Sequence, residues 1–408
     1  MAAARRHFPA DAGVEAILLG APQNVGFLTS NFNLSTLTLL YMGFDHGTIT
    51  FRVCSLPEPL PEDMLERFDA DHAGPIERVS DEPSWGWVSG RFLLETEINE
   101  ETCKVGNYFH VCLRQAERKI PAALLNAECR LAELARMKAD NVDHLNRKVR
   151  KQLKEEVKER LAPQMPPTFA GTYCAIDPVT NMLYVTATSD KQFDLFSGYF
   201  GKAMGFNPLP LTPDNLAAAL YKTDPTDIPA VNISPELDDA SGAAGLLGEN
   251  FLTWLWQFEE EREGILPSSK LGDFSLMVDG PLTFVAEGGG AFESSLRKGA
   301  PTISAEARSA MLVGKKLRSA KLVLAREKGE EWSCTLDASQ FVFRGLKLPE
   351  GEALDPQEVF EERMANLDIF RQVIFELFHL FLNVMSDPAK RSEYQQKAKQ
   401  WVQNHDQK

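Results

Sequence analysis

Eleven residues, His144 to Lys154, carry five cations, Arg147, Lys148, Arg150, Lys151 and Lys154, and no carboxylate. Lysine and arginine at three- and four-residue spacing set positive charge along a helix side. Such charge holds phosphate oxygens without reading base edges. A helix stabilised by its own ion pairs would place Glu four residues before Lys, and this stretch does not. A second basic stretch, 297–328, contributes Lys315, Lys316 and Arg318, expected at the end of a helix and the start of the next strand. The helix dipole itself favours cations there, so a structural role competes with a binding one. Thirteen Lys/Arg stand against eight Asp/Glu over 114–160, and nine against two over 297–328, although the whole chain is at −15. An acidic body with two positive strips binds a polyanion locally and repels it elsewhere. A solvated helix face is the competing explanation for either strip taken alone.

Other chemistry is weaker. Metal-dependent cleavage of DNA needs carboxylates that converge on one or two cations. Asp177, Asp190, Asp194, Asp273 and Asp279 sit near expected strand ends, where turn formation and helix starts are the commoner use of Asp. A metal-dependent DNA exonuclease is therefore the alternative reading. Glu259, Glu260, Glu261 and Glu263 read as a solvated helix end, and His110, His144 and His379 have no partner at fixed spacing. Cys54, Cys103, Cys112, Cys129, Cys174 and Cys334 form no C-x-x-C pair and read as buried reduced thiols of a cytosolic protein. Helix-turn-helix, zinc-finger and RNA-recognition signatures are absent, and Gly288-Gly289-Gly290 lacks the Lys-Ser/Thr ending of a phosphate loop.

The elements that must position these residues follow from periodicity. Strands are expected at Asn33–Tyr41, Thr48–Cys54, Arg91–Thr96 and Asn107–Leu113. After Pro121 the period becomes helical through Met137, breaks or bends near Asp140–Asp143 and resumes to Leu161, where Pro163, Pro166 and Pro167 end it. A β-β-α-β block follows: Gly171–Ile176, Met182–Thr188, a helix over Lys191–Met204 and a return over Phe206–Leu211. The helix Leu246–Glu261 carries Phe251, Leu252, Trp254, Leu255, Trp256 and Phe258, expected as core, with a protein-docking surface as the rival use. Asp279-Gly280 predicts a hairpin between Phe274–Val278 and Leu282–Ala286. A helix over Ala305–Leu317 precedes strands at Lys321–Ala325, Trp332–Leu336 and Phe341–Phe343. A final helix runs from Pro356 to about Met385; Arg371, Glu376 and His379 within it predict a buried or interface helix and no membrane span. No export signal is read at the start, and no internal repeat is visible. The chain divides into an N-terminal extension (1–26), a β-rich region (27–115), a long basic helical region (116–170), the β-β-α-β unit (171–222), a linker with the aromatic helix (223–272), a second β region with the basic helix (273–348) and a C-terminal helical region (349–408).

From Tyr108 to Pro213 the order of features resembles the RdgC family of recombination-associated DNA-binding proteins. The carrying pieces are Tyr108–Arg114, Arg118-Lys119-Ile120-Pro121, the long helix, Lys151–Val157, Leu161-Ala162-Pro163, Ile176-Asp177 and Pro208-Leu209-Pro210-Leu211. Gly86-Trp87-Val88, Gly248–Trp256, Gly314-Lys315 and the apolar C-terminal helix agree as well. The resemblance implies an α+β fold of mixed and antiparallel sheets with long helices, dimerising into a ring around double-stranded DNA. It implies sequence-independent binding without cofactor, metal or catalysis. It also implies a cytoplasmic, nucleoid-associated protein that restrains RecA-driven strand exchange. On that resemblance Arg147, Lys148, Arg150, Lys151 and Lys154 face the hole, with Lys315, Lys316 and Arg318 next. Gln164, Met165, Pro166 and Pro167 stand where compact family members carry basic and aromatic residues, so a gating role does not carry over.

Overall fold

Runs of alternating burial, such as Phe274–Val285 with its buried Phe274, Leu276 and Val278, set strands with one face on a core. The computed structural model describes residues 43–237, 246–286, 293–327 and 329–404. The expected strand Asn33–Tyr41 and the Gly288–Gly290 run lie outside the described residues. The strands are β1 (Ile49–Ser55), β2 (Ser84–Ser89), β3 (Lys104–Val105), β4 (Tyr108–Glu117), β5 (Thr168–Asp177), β6 (Met182–Val185), β7 (Leu209–Pro210), β8 (Phe274–Val285), β9 (Ser294–Leu296), β10 (Lys316–Arg326), β11 (Glu330–Asp337) and β12 (Val342–Lys347). They join in one antiparallel sheet of order β2-β4-β5-β6-β1-β12-β11-β10-β8-β9, with β3 on β4 and β7 on β1. The fold is α+β, as expected, and the separately read β regions share this sheet.

The sheet order contains a repeat that the sequence hides. β2-β4-β5-β6 and β8-β10-β11-β12 run in the same order towards β1 from opposite sides. Their inner hairpins match. Asp177 pairs with Met182 and Asp337 with Val342, and the residue before each return strand, Asn181 or Phe341, has positive φ.

The helices are α1 (Met64–Ala70), α2 (Glu100–Cys103), α3 (Ala122–Asp140), α4 (Arg147–Leu161), α5 (Asp190–Met204), α6 (Pro213–Ala219), α7 (Leu247–Glu261), α8 (Ala305–Leu312), α9 (Pro356–Ser386) and α10 (Pro388–Asn404). Phe68 of α1 and Phe193, Phe196 and Phe200 of α5 pack with Trp87, Leu113, Cys174 and Leu183 in one core. A larger core joins α7 and α9 to both halves of the sheet. Phe251, Leu252, Trp254, Leu255 and Trp256 are buried in it, so the aromatic helix offers no docking surface there. α9 is long and apolar enough by composition to cross a membrane, yet its Phe360, Met364, Phe370, Phe378 and Phe381 are buried in that core. Within α9, Arg371 donates to Asp368 and to the hydroxyl of Tyr184 at 2.9 Å each, pairing its charge.

Three expectations are corrected. Arg91–Thr96 is not a strand: it turns back so that the Ser89 N–H donates to the Glu95 carbonyl at 3.0 Å. Asp279-Gly280 makes no hairpin, because β8 continues through it as a bulge against β10, between the pairs Asp279–Lys321 and Thr283–Ser319. Gly280 serves close packing instead, since a Cβ there would meet Pro301 at 2.5 Å. The basic helix is shorter than expected: Gly314, at φ +81°, closes α8 and Lys316 opens β10.

Candidate nucleic-acid interface

α3 and α4 form a helical hairpin inserted in the chain between the paired strands β4 and β5. Asn141, with φ 52° and ψ 47°, ends α3 in the left-handed region; Asn146 starts α4 by accepting from the Val149 N–H at 2.9 Å. Of the two helices only Val157 and Leu161, at the root of α4, are buried, and α3 buries nothing. Leu131 and Leu134 on α3 are exposed at 61% and 45%, unusual for a helix whose apolar period is clear. Arg160 of α4 bridges to Glu128 of α3 at 2.7 Å and ties the hairpin together.

Arg147, Lys148, Arg150, Lys151 and Lys154 of α4 are all exposed and have no ion pair among the described residues, whereas Lys158 pairs with Glu155 and Arg160 with Glu128. Three of the five, Arg147, Lys148 and Arg150, lie in the first turn, which contains no acid. The helix dipole disfavours cations at that end by about 0.3–1 kcal/mol each, so their placement does not serve helix stability. At 3.6 residues per turn, Arg147, Arg150, Lys151 and Lys154 fall within an arc of about 100°, and Lys148 falls outside it. The four line a groove of about 510 Å³ between α3 and α4, opposite Asn126, Cys129, Arg130 and Glu133; Lys148 is not among its lining.

The second strip is differently placed. Lys316 is buried, 3% exposed, so it presents no charge to solvent. Its side chain and Arg318 act on the buried carboxyl of Glu249, whose pKa is raised by burial and pulled down by these cations. Arg318 also lies 3.5 Å from Glu293, and Lys315 donates to the Ser294 hydroxyl at 2.5 Å. Lys315 lines another cleft, with Phe284, Leu296 and Val313. The groove of the hairpin thus gathers four of the eight residues picked out in the sequence, while Lys316 turns inward.

Three of the strand-end aspartates have local partners. Asp177 accepts from the Val179 and Thr180 N–H groups and from the Thr180 hydroxyl at 2.6 Å, an Asx turn. Asp190 lies 3.6 Å from Arg52, and Asp279 3.7 Å from Lys321. Among the described residues no three His, Cys, Asp or Glu side chains gather as a metal-ligand set. His110 is buried between Phe44, Tyr173 and Phe360, and burial lowers its pKa to about 3; His379 stacks on Tyr221 at 4.4 Å. Cys54, Cys103, Cys112, Cys174 and Cys334 are buried, and Cys129 is partly exposed in the groove. Sequence reasoning missed Arg130, because nothing in a single helix reveals which residue of a neighbouring one will face it.

Comparison with known proteins agrees with this architecture. A family model described as "Putative exonuclease, RdgC" matches residues 50–222, which hold the hairpin and the strands on either side of it. The chain is similar to the recombination-associated protein RdgC of Pseudoalteromonas atlantica, 33% identical over 109 residues, 26% of this chain and 35% of that one. It is similar to the protein of the same name from Yersinia enterocolitica, 28% identical over 131 residues, 32% and 42% of the two chains. The one from Psychromonas ingrahamii is 27% identical over 175 residues, 40% and 53%. The chain spans between about a third and about half the length of these curated relatives. The match over residues 50–222, with their hairpin between two paired strands, and these relatives support membership of the RdgC family.

Proposed function

We propose that the chain is a non-catalytic, sequence-independent binder of double-stranded DNA. In this reading it acts as a ring-shaped homodimer in the cytoplasm, associated with the nucleoid, and restrains RecA-dependent recombination. The carrying observation is the set of five exposed cations on α4, Arg147 to Lys154, with no ion pair among the described residues, in a chain that is otherwise strongly acidic. Phosphates supply the missing counter-charge, and the acidic remainder keeps duplex away from other faces. The relatives' printed name, recombination-associated protein, supports the recombination part. The exposed Leu131 and Leu134 supply an apolar surface for self-association. Arg147, Lys148, Arg150, Lys151 and Lys154 carry the contact in this reading, with Lys315 and Arg318 as a second, partly neutralised wall.

If a dimer neutralises about eight phosphates, log affinity falls against log salt with a slope of about −7, or roughly 10⁴-fold between 50 and 200 mM. Reversing Lys148, Lys151 and Lys154 to Glu abolishes binding without unfolding, because all three side chains are exposed. Wild-type affinity in that triple variant overturns the reading. The family model's description favours a second reading, a metal-dependent exonuclease. Incubation of end-labelled duplex with Mg²⁺ or Mn²⁺ separates the two, and shortening of the label that disappears in Asp177→Ala would establish the nuclease.

A further inference from the structure

The cations of α4 do not form one continuous face to be laid across a duplex. Arg147, Arg150, Lys151 and Lys154 turn towards α3, and across the groove stands Arg130, whose side chain is 63% exposed. Its contact with Glu133, at 3.5 Å, is long for a hydrogen-bonded pair and leaves most of the guanidinium available. Five cations thus border the groove against the single carboxylate of Glu133. Two helices packed side by side lie about 8–10 Å apart, and the furrow over their seam admits one sugar–phosphate strand but no whole double helix. From residue 147 to 154 the helix advances about 10 Å, close to three nucleotide steps at about 3.4 Å of rise per strand.

We propose that this groove is a phosphodiester seat in which one backbone ridge of the bound nucleic acid enters between α3 and α4. Arg130 is its far wall, and Lys148 contacts phosphate from outside it. The proposal rests on the DNA-binding reading above and adds to it a second helix, a direction of entry and a residue. Arg130 makes charge-assisted bonds to a phosphate that the α4 cations reach from the other side, a bidentate fit that Lys would not give.

The test uses the full chain and a mixed-sequence 30-bp duplex, with two measurements. In the first, affinity is measured against salt for the wild type, Arg130→Gln and the double reversal Lys151→Glu/Lys154→Glu. Arg130→Gln should weaken binding about 3- to 10-fold at moderate salt and make the salt slope about one unit shallower. In the second, N-ethylmaleimide alkylation of Cys129 is followed by mass spectrometry with and without duplex, the other five cysteines being buried. A seated backbone should slow alkylation of Cys129 at least about fivefold. The seat is overturned, with the DNA-binding reading intact, if duplex binds and the double reversal abolishes binding while Arg130→Gln keeps the wild-type slope and Cys129 reacts equally fast with and without duplex. No binding by the wild type at low salt overturns both.

Discussion

Arg160 Nη2 of α4 and Glu128 Oε2 of α3 stand 2.7 Å apart, 32 residues apart in the chain, and this pair bridges the hairpin close to its root. Both side chains are partly exposed, so the pair is worth less than about 1 kcal/mol. Its effect should be local. Arg160→Ala should leave the midpoint of global denaturant unfolding nearly unchanged and speed amide hydrogen exchange in α3, which buries no residue of its own. Unchanged exchange in α3 would show that packing of the helices alone holds the hairpin.

Asp45 and His110 meet where Arg363 grips the chain, donating to the carbonyls of Phe44 and Gly47 at 2.6 and 2.7 Å. His110 Nδ1 lies 3.9 Å from Asp45 Oδ1. Burial raises the Asp45 carboxyl to about 6 against the pull of Arg363, and burial lowers His110 to about 3. The two act in opposite directions. The Asp45 contribution to stability is full below its unfolded value near 3.8 and is lost as pH rises through 6. That of His110 is full above 6.5 and is lost as pH falls towards 3. Asp45→Asn should therefore be more stable than wild type at pH 7, by on the order of 1–3 kcal/mol, with the gain gone at pH 4. Urea unfolding at both pH values measures it.

The Arg371, Asp368 and Tyr184 cluster joins α9 to β6. Arg371→Met leaves Asp368 and the Tyr184 hydroxyl without their charged donor, and removal of one member of a buried pair costs about 3–5 kcal/mol. Adding Asp368→Asn should recover part of that loss, a coupling that a double-mutant cycle reads directly. Equal losses in the single and double variants would show that Arg371 acts through packing over Phe375 instead.

Gly248 near the start of α7 lies against the β11–β12 hairpin, where an added Cβ would meet the Ala338 carbonyl oxygen at 1.9 Å. Ala normally improves a helix. Here Gly248→Ala should destabilise by more than about 2 kcal/mol, because the helix must back away from the sheet. Thermal unfolding compared with Gly198→Ala, where a Cβ meets nothing within 4 Å, isolates the clash from helix propensity.

The outer limits of the hairpin were legible in advance, because local chemistry sets them: Pro121 at the start and the Leu161-Ala162-Pro163 stop, while the cap at Asn146 was not read. The Asp177–Met182 turn was legible for the same reason. Errors came where long-range packing overrides local signals. Asp279-Gly280 reads as a hairpin, yet β10 supplies a partner on which both flanking segments lie as one strand. Lys316 reads as a surface cation because its neighbours are basic, while its place in β10 turns it inward. In the site, spacing identified the cations of α4, but the separation of Lys148 from the groove and the facing position of Arg130 depend on how α3 packs. The doubled sheet order escaped because pairing order, with no matching stretch of residues, is what the two halves share.

β1 lies at the middle of the sheet, with β6 on one side and β12 on the other; Arg52 pairs with Val185 and with Val342. On a ribosome β7 can cover the Cys54–Ser55 end of the second edge of β1, but Ile49–Arg52 must wait for nearly three hundred later residues before β12 covers them. Contacts of such sequence separation form late and slowly. A nascent or prematurely ended chain without β12 therefore leaves Ile49–Arg52 of the central strand bare on one edge, and its hazard is strand-to-strand aggregation.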